Sequence, residues 1–415
     1  MVPGLSGRLI VNPRHENFYG LGIAPKLLDK IESLGYSKPT PIQHKAIPFA
    51  IEGKDIVGIA QTGTGKTLAY GVPMIQRLTQ MKGKGLVLAP TRELAIQINA
   101  HLKPFTQALR MGTAVVIGGE RMSKQITALR RDPRIIVATP GRLIDLMEQK
   151  IVRLNDVHVL VLDEADRMLD MGFAPQIEKI IRTVPRKRQT MLFSATMPTA
   201  IVKIASAHMQ LPVRTEIAPS GTAAEGVSHE VFVVEKKLKG DLLKKLLEQY
   251  RGSVLIFTRT KRGATRVRRS LKKAGLAAAE IHSDRTLPQR REALNGFKSG
   301  KYRILVATDI AARGIDVEGI ELVVNYDLPD DPENYVHRIG RTGRAGMDGK
   351  AVSMATPDQG SDVRNIEKLI KISISLSEHP EIPAKQFLTG ELTSFQKRLS
   401  RHKRGMSRRP VRRRR

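Results

Sequence analysis

The sequence predicts an α/β protein: two tandem domains, each a parallel sheet covered by helices, with a basic tail. Three observations carry this. The 415 residues exceed one ordinary core and suffice for two domains. Short segments rich in Val, Ile and Leu alternate with helix-length segments, twice over, which is the pattern of parallel sheets buried on both faces. Between the two runs lies Ala218-Pro-Ser-Gly-Thr-Ala-Ala-Glu-Gly226, a small, breaker-rich stretch that reads as a flexible linker.

The strand candidates of the first half are Asp55–Ala60, Gly85–Ala89, Thr113–Ile117, Arg134–Ala138, Val159–Leu162 and Thr190–Phe193. Those of the second half are Val254–Phe257, Ala278–Ile281, Ile304–Ala307, Leu322–Asn325 and Ala351–Ala355. Amphipathic helices fall between them; Asp241–Tyr250 is one, with leucines at 242, 243, 246 and 247. The expected divisions are an N-terminal extension (1–14), a first domain (15–217), a linker (218–228), a second domain (229–377) and a tail (378–415) that is disordered when free. Two domains on a hinge suit a ligand-driven cycle of opening and closing.

The charge narrows the partners. There are 70 Lys and Arg against 40 Asp and Glu, a net charge of +30, which favours a polyanion, most often nucleic acid. General solubility is the alternative. Lys397–Arg415 holds 11 Lys and Arg and no acid, yet the rest of the chain is still strongly basic. Aromatics make up only 4% and tryptophan is absent, which argues against base stacking as the main binding mode. With no cysteine, disulfides, thiolate metal sites and thiol catalysis are excluded, as fits a reducing cytoplasm. No apolar run approaches the roughly 20 residues of a membrane helix. Met1–Asn12 lacks the layout of a secretory signal.

Ala60-Gln61-Thr62-Gly63-Thr64-Gly65-Lys66-Thr67 is a P-loop with Ala60 where the strict pattern has glycine. It follows a strand candidate and opens a helical stretch, as phosphate cradling by backbone N–H groups requires. Lys66 reaches the β- and γ-phosphates and Thr67 ligates Mg²⁺ in that motif. Asp163-Glu164-Ala165-Asp166 ends an apolar run, at the strand edge where doubly wound sheets bind ligands. Asp163 is the candidate Mg²⁺ partner and Glu164 the candidate base for the attacking water. Asp166 is open between a helix cap or surface charge and a relay to a hydroxyl or imidazole. Together the two segments predict a magnesium-dependent nucleoside triphosphatase.

Three further segments of the first half follow strands. Pro90-Thr91-Arg92-Glu93 and Thr139-Pro140-Gly141-Arg142 each offer hydroxyls, an arginine and helix N-terminal amides, a set that suits a second polyanion. Each alone is equally a strand-to-helix turn. Gly118-Gly119 permits close backbone approach. Ser194-Ala195-Thr196 can hydrogen-bond the acidic segment or simply cap a helix.

The second half has no P-loop. It has His337-Arg338-Ile339-Gly340-Arg341-Thr342-Gly343-Arg344 instead. Arg341 and Arg344 are candidate arginine fingers, a device worth roughly 10³–10⁵ in rate. A basic loop paired with Asp330, Asp331 and Glu333 is the alternative. In Ala307–Asp316, Thr308 is a candidate for a nucleic-acid phosphate and Asp316 for a ribose hydroxyl. Thr258-Arg-Thr-Lys261 and His282-Ser-Asp-Arg285 extend the same basic, hydroxyl-rich rim.

These motifs, in this order over about residues 16–355, resemble the DEAD-box RNA helicase family of superfamily 2. The resemblance implies two RecA-like domains, with ATP in the cleft between them and RNA across both. Residues 16–44 resemble the family's adenine-recognition segment: Gln43 would read the adenine edge, Phe18, seventeen residues before Gly35, would stack on the base, and Tyr36 lies alongside. The ATP site would be completed by Gly314, Asp316, Arg341 and Arg344. RNA would be held through its backbone by Pro90, Thr91, Arg92, Gly119, Thr139, Pro140, Gly141, Arg142, Arg285 and Thr308. Asp166, Ser194, Thr196 and His337 would couple hydrolysis to strand separation.

Ser283, Thr286 and Leu287 depart from the usual Gly, Ser and Gln of the family, which puts fine RNA contact there in question. The overall wording, including Glu164–Phe173, looks closest to a bacterial RhlE-type branch with a short basic tail. The expected activity is ATP-dependent local separation of short RNA duplexes or remodelling of RNA–protein complexes, with a monomeric core and ribonucleoprotein or ribosomal-assembly partners. A DNA translocase on the same fold and an ATP-gated RNA clamp are the rivals.

Overall fold

The computed structural model describes residues 17–61, 63–217, 226–312, 320–343 and 349–388. The chain divides into two compact units, the first closing at Ile217. In the first, strands β1 (Ile56–Ile59), β2 (Lys84–Leu88), β3 (Thr113–Val116), β4 (Ile135–Ala138), β5 (Val157–Asp163), β6 (Gln189–Ser194) and β7 (Val213–Glu216) form one sheet in the order β3-β4-β2-β5-β6-β1-β7. Every neighbouring pair is parallel.

The second unit holds β8 (Val227–Val233), β9 (Ser253–Phe257), β10 (Ala278–Ile281), β11 (Ile304–Ala307), β12 (Ile320–Asn325), β13 (Gly349–Ala355) and β14 (Ser375–Ser377). Their order is β10-β11-β9-β12-β13-β8-β14, again all parallel. Strand for strand this repeats the first sheet. The burial shows why the strands read as continuous apolar runs. On β9, Val254 and Ile256 pack into one cluster and Leu255 and Phe257 into another, because successive side chains point to opposite faces.

The repeat extends to single side chains. Arg134, just before β4, donates to the carbonyls of Leu78 (2.6 Å), Met81 (2.8 Å) and Gly83 (2.8 Å). Arg303, just before β11, donates to those of Tyr250 (2.6 Å) and Leu247 (3.3 Å). Each guanidinium fills orphan acceptors at the end of the helix that follows the first strand of its sheet. The repeat is legible in Arg134-Ile-Ile-Val-Ala-Thr139 and Arg303-Ile-Leu-Val-Ala-Thr308.

Three strands escape the sequence reading. β7 and β14 are short edge strands, and β8 is broken by His229 and Glu230. The linker as read overlaps the start of β8, at 227 and 228. The tail as read begins too early. Within 378–388, Lys385 N–H donates to Val233 O (2.9 Å), Leu388 N–H donates to Pro357 O (3.0 Å), and Phe387 is only 4% exposed in the core. One buried aromatic without periodic neighbours gave no signal. Thr62, Gly314, Asp316, Arg344, the stretch 218–225 and the arginine-rich end lie outside the described residues. No helix among the described residues is long and apolar enough to cross a membrane.

Candidate functional site

Strand order sorts the first unit's motifs into two groups. β5, β6 and β1 are neighbours, so their carboxyl ends bring together Asp163, Ser194 and the loop beginning at Ala60. β3, β4 and β2 are neighbours, so their ends bring together Gly118-Gly119, Thr139–Arg142 and Pro90–Arg92. Carboxyl ends of parallel strands are where such sheets bind ligands.

In the P-loop, Gly65 has φ +86°, and a Cβ there would meet the Gln43 amide nitrogen at 2.3 Å. Only glycine permits both the turn and the approach. Gln43 Nε2 donates to Gly65 O (3.0 Å), while Gln43 Oε1 accepts from Thr40 N–H (2.9 Å). Both ends of the side chain expected to read adenine are thus engaged within the protein. Lys66, at the start of the helix Lys66–Gln80, is buried and donates to Ala60 O (2.8 Å). Gln61 and Thr64 are half-buried and Gly63 is exposed. Buried Phe18 and exposed Tyr36 line one cavity of about 350 Å³ with Leu28 and Ile31.

Asp163 ends β5 and is buried. Tyr70 donates its hydroxyl to Oδ2 (2.9 Å). Burial pushes the Asp163 carboxyl up to about 6; Lys66 opposes the rise and Glu164 adds to it. Its Oδ1 is buried without a partner. An orphaned, buried carboxylate oxygen fits a cation or a cation's water, so this residue suits Mg²⁺. Glu164 takes a left-handed backbone (φ 51°) and is ion-paired with Arg167.

Asp166 is no surface charge, being 3% exposed. Its Oδ2 accepts from Ala195 N–H (3.0 Å), Thr196 N–H (2.9 Å) and the Thr196 hydroxyl (3.1 Å). Ser194 Oγ accepts from Asp166 N–H (3.2 Å). The acidic segment and Ser194–Thr196 are therefore one clamped unit.

On the other half of the edge, Thr91 caps the helix Arg92–Ala108, accepting from Leu94 N–H (3.2 Å). Gly119 (φ +74°) makes room for Arg92: a Cβ would lie 2.2 Å from its guanidinium. Gln125 grips Ile117 through both its N–H (3.0 Å) and its C=O (2.9 Å), fixing the chain that leads into Gly118-Gly119. Arg142 donates to Glu120 O (3.2 Å). Thr139 is buried, Pro140 opens the next helix, and Gly141 faces open space.

Residues 40–204 match the DEAD/DEAH box helicase family, and residues 238–346 match the helicase conserved C-terminal domain. The chain is 43% identical over 368 residues to the DEAD-box ATP-dependent RNA helicase CshA of Bacillus cereus, covering 88% of this chain and 70% of that protein. It is 41% identical to CshA of Bacillus subtilis, covering 88% and 74%. The chain belongs to the DEAD-box helicase family. Among solved structures, yeast Dbp5 bound to RNA and ADP BeF3 matches with a TM-score of 0.80 at 31% identity, over 88% of this chain and 96% of that one. Mss116p bound to ssRNA and AMP-PNP matches at 0.81 and 28% identity, over 88% and 78%. Two RecA-like sheets in tandem are thus the family's fold.

The second unit of this DEAD-box chain holds its motif residues firmly. Arg338 chelates Asp309 (2.6 and 2.7 Å), donates to Asn325 Oδ1 (3.0 Å) and Asp327 O (2.7 Å), and lies 5.0 Å over the Phe257 ring. It is a staple between the segments at 309 and 338, a role the sequence did not disclose. Arg341 is 2% exposed, so it is packed into the fold, and His337 is half-buried. Thr308 N–H donates to Ile281 O (3.4 Å), joining the ends of β10 and β11. Arg285 is paired with buried Glu280, which also faces His282 (3.3 Å) and Arg268 (3.9 Å). The departures at 286 and 287 serve the fold. Thr286 and Gln289 form a capping box, and Leu287 is buried.

Proposed function

We propose that this protein separates short RNA duplexes locally, using ATP held at the P-loop and RNA held along the rim of strand ends. As a DEAD-box family member it is an ATP-dependent RNA helicase and an RNA-dependent ATPase. The observation that carries the finer reading is the strand order, which puts phosphate-binding and acidic segments on one half of an edge and the hydroxyl–arginine segments on the other. Lys66, Gly65 and the loop amides bind the triphosphate. Thr67 and Asp163 would hold Mg²⁺, which would neutralise phosphate charge. Glu164 orients the attacking water, and Arg341 and Arg344 stabilise the transferring charge. Among the described residues no group of three or more His, Cys, Asp or Glu stands ready for a metal, as suits an ion held by one carboxylate, water and phosphates.

Pro90–Arg92, Gly119, Thr139–Arg142, Arg285 and Thr308 bind RNA through its backbone, so the core has little sequence preference. Bending of the bound strand excludes its partner strand. Asp166 relays the state of the ATP site to Ser194–Thr196. The reading includes a monomeric core, ribonucleoprotein or ribosomal-assembly partners and a cytoplasmic setting. The overall wording of the sequence, residues 164–173 included, supports the RhlE-type branch.

The test is the ATPase rate without nucleic acid, with single-stranded RNA and with matched DNA, for wild type and Glu164→Gln. RNA-specific stimulation that disappears in the variant is expected. Equal stimulation by DNA would favour a translocase. ATP-dependent RNA binding without turnover would favour a clamp.

A further inference from the structure

Arg167 is 1% exposed, in the short helix Ala165–Asp170 that begins directly after Glu164. Its Nη1 is paired with Glu164 Oε2. Its Nε and Nη2 have no hydrogen-bond partner. A guanidinium carries five donors, and burying it with two nitrogens unfilled is costly. A buried ion pair is a weak source of stability, and apolar side chains of similar volume usually serve packing better. What the cation does supply is a fixed partner for Glu164.

Glu164 needs one. Its backbone is left-handed at the end of a strand, so strand geometry does not set the direction of its side chain. The side chain has three rotatable bonds, and the neighbouring Asp163 carboxylate repels it.

We infer that Arg167 is a positioning residue for ATP hydrolysis, holding the Glu164 carboxylate in one orientation at the site without touching substrate. The inference rests on Glu164 being the group that orients the attacking water. A loosened base loses near-attack geometry, which costs rate and leaves nucleotide binding in place.

The experiment is RNA-stimulated turnover and nucleotide affinity for R167M, R167K, E164Q and the double variant R167M/E164Q, with thermal midpoints as the fold control. R167M is expected to lower kcat about 10–100-fold and to change the ATP KM by less than about threefold. R167K, which keeps a cation, is expected to recover most of the loss. In the E164Q background, R167M is expected to lower the residual single-turnover rate by no more than about twofold, because both changes remove the same function. An unchanged kcat in R167M would overturn the inference. So would an equal fold-loss in the E164Q background, or weakened nucleotide affinity in R167M and R167K alike, since either marks a general structural role. R167Q takes the place of R167M if the apolar variant does not fold. Wild-type turnover in E164Q would instead remove the assignment of Glu164, and this inference with it. An inactive E164Q beside an unaffected R167M would remove Arg167 alone.

Discussion

Gly65 and Gln43 form one device at the residue scale. The glycine's left-handed turn presents its carbonyl to the glutamine amide, and the missing Cβ lets that amide approach. Gly65→Ala should weaken nucleotide binding about 10–100-fold, the scale of losing one or two hydrogen bonds to a charged group. Nucleotide titration checks this, and binding within twofold of wild type would contradict it. The motif residues were legible because each set is contiguous: the P-loop, the acidic segment and the arginine run are read without knowing any contact. The roles of Tyr70, Gln125, Arg167 and Arg338 were not. Tyr70 meets Asp163 across 93 positions of chain, and nothing around Tyr70 itself distinguishes it from a core aromatic.

At the scale of elements, equivalent positions in the two sheets solve equivalent problems. Thr91 and Thr260 both cap the helix after the second strand of their sheet, accepting from Leu94 N–H (3.2 Å) and Gly263 N–H (3.0 Å). Thr91→Ala and Thr260→Ala should each cost about 1 kcal/mol of stability. Denaturant unfolding measures this. If Thr91 also holds RNA, its variant should lose RNA affinity beyond what that destabilisation explains. The interior strands were legible because both their faces are buried, leaving nearly uninterrupted Val, Ile and Leu. The edge strands β7 and β14 lack that signature, and β8 hides it behind His229 and Glu230.

For the whole molecule, pH tests how the second unit is held. His229 lies beside Tyr335 (3.1 Å), and burial holds its imidazole below the ordinary value near 6.5. The folded chain therefore stays neutral there while the unfolded chain takes up a proton. Stability is complete above about pH 6.5 and falls as pH drops toward the lowered value. His229→Gln should flatten the fall in thermal midpoint between about pH 7 and 5.5. An identical fall in both proteins would show that His229 carries none of it. The tandem architecture was legible from the doubled alternation of strands and helices, whereas the identity of the two strand orders emerges only from pairing.

Linkage between the two ligands bears most directly on the helicase reading. If ATP and RNA favour one shared state, each must raise affinity for the other by the same factor. RNA affinity, measured by fluorescence anisotropy on a single strand with AMP-PNP and with ADP, should differ at least about tenfold in favour of AMP-PNP, a coupling of roughly 1.4 kcal/mol. The preference for AMP-PNP over ADP should rise by the same factor when RNA is present. Equal RNA affinity in the two nucleotide states would contradict coupled ATP and RNA binding.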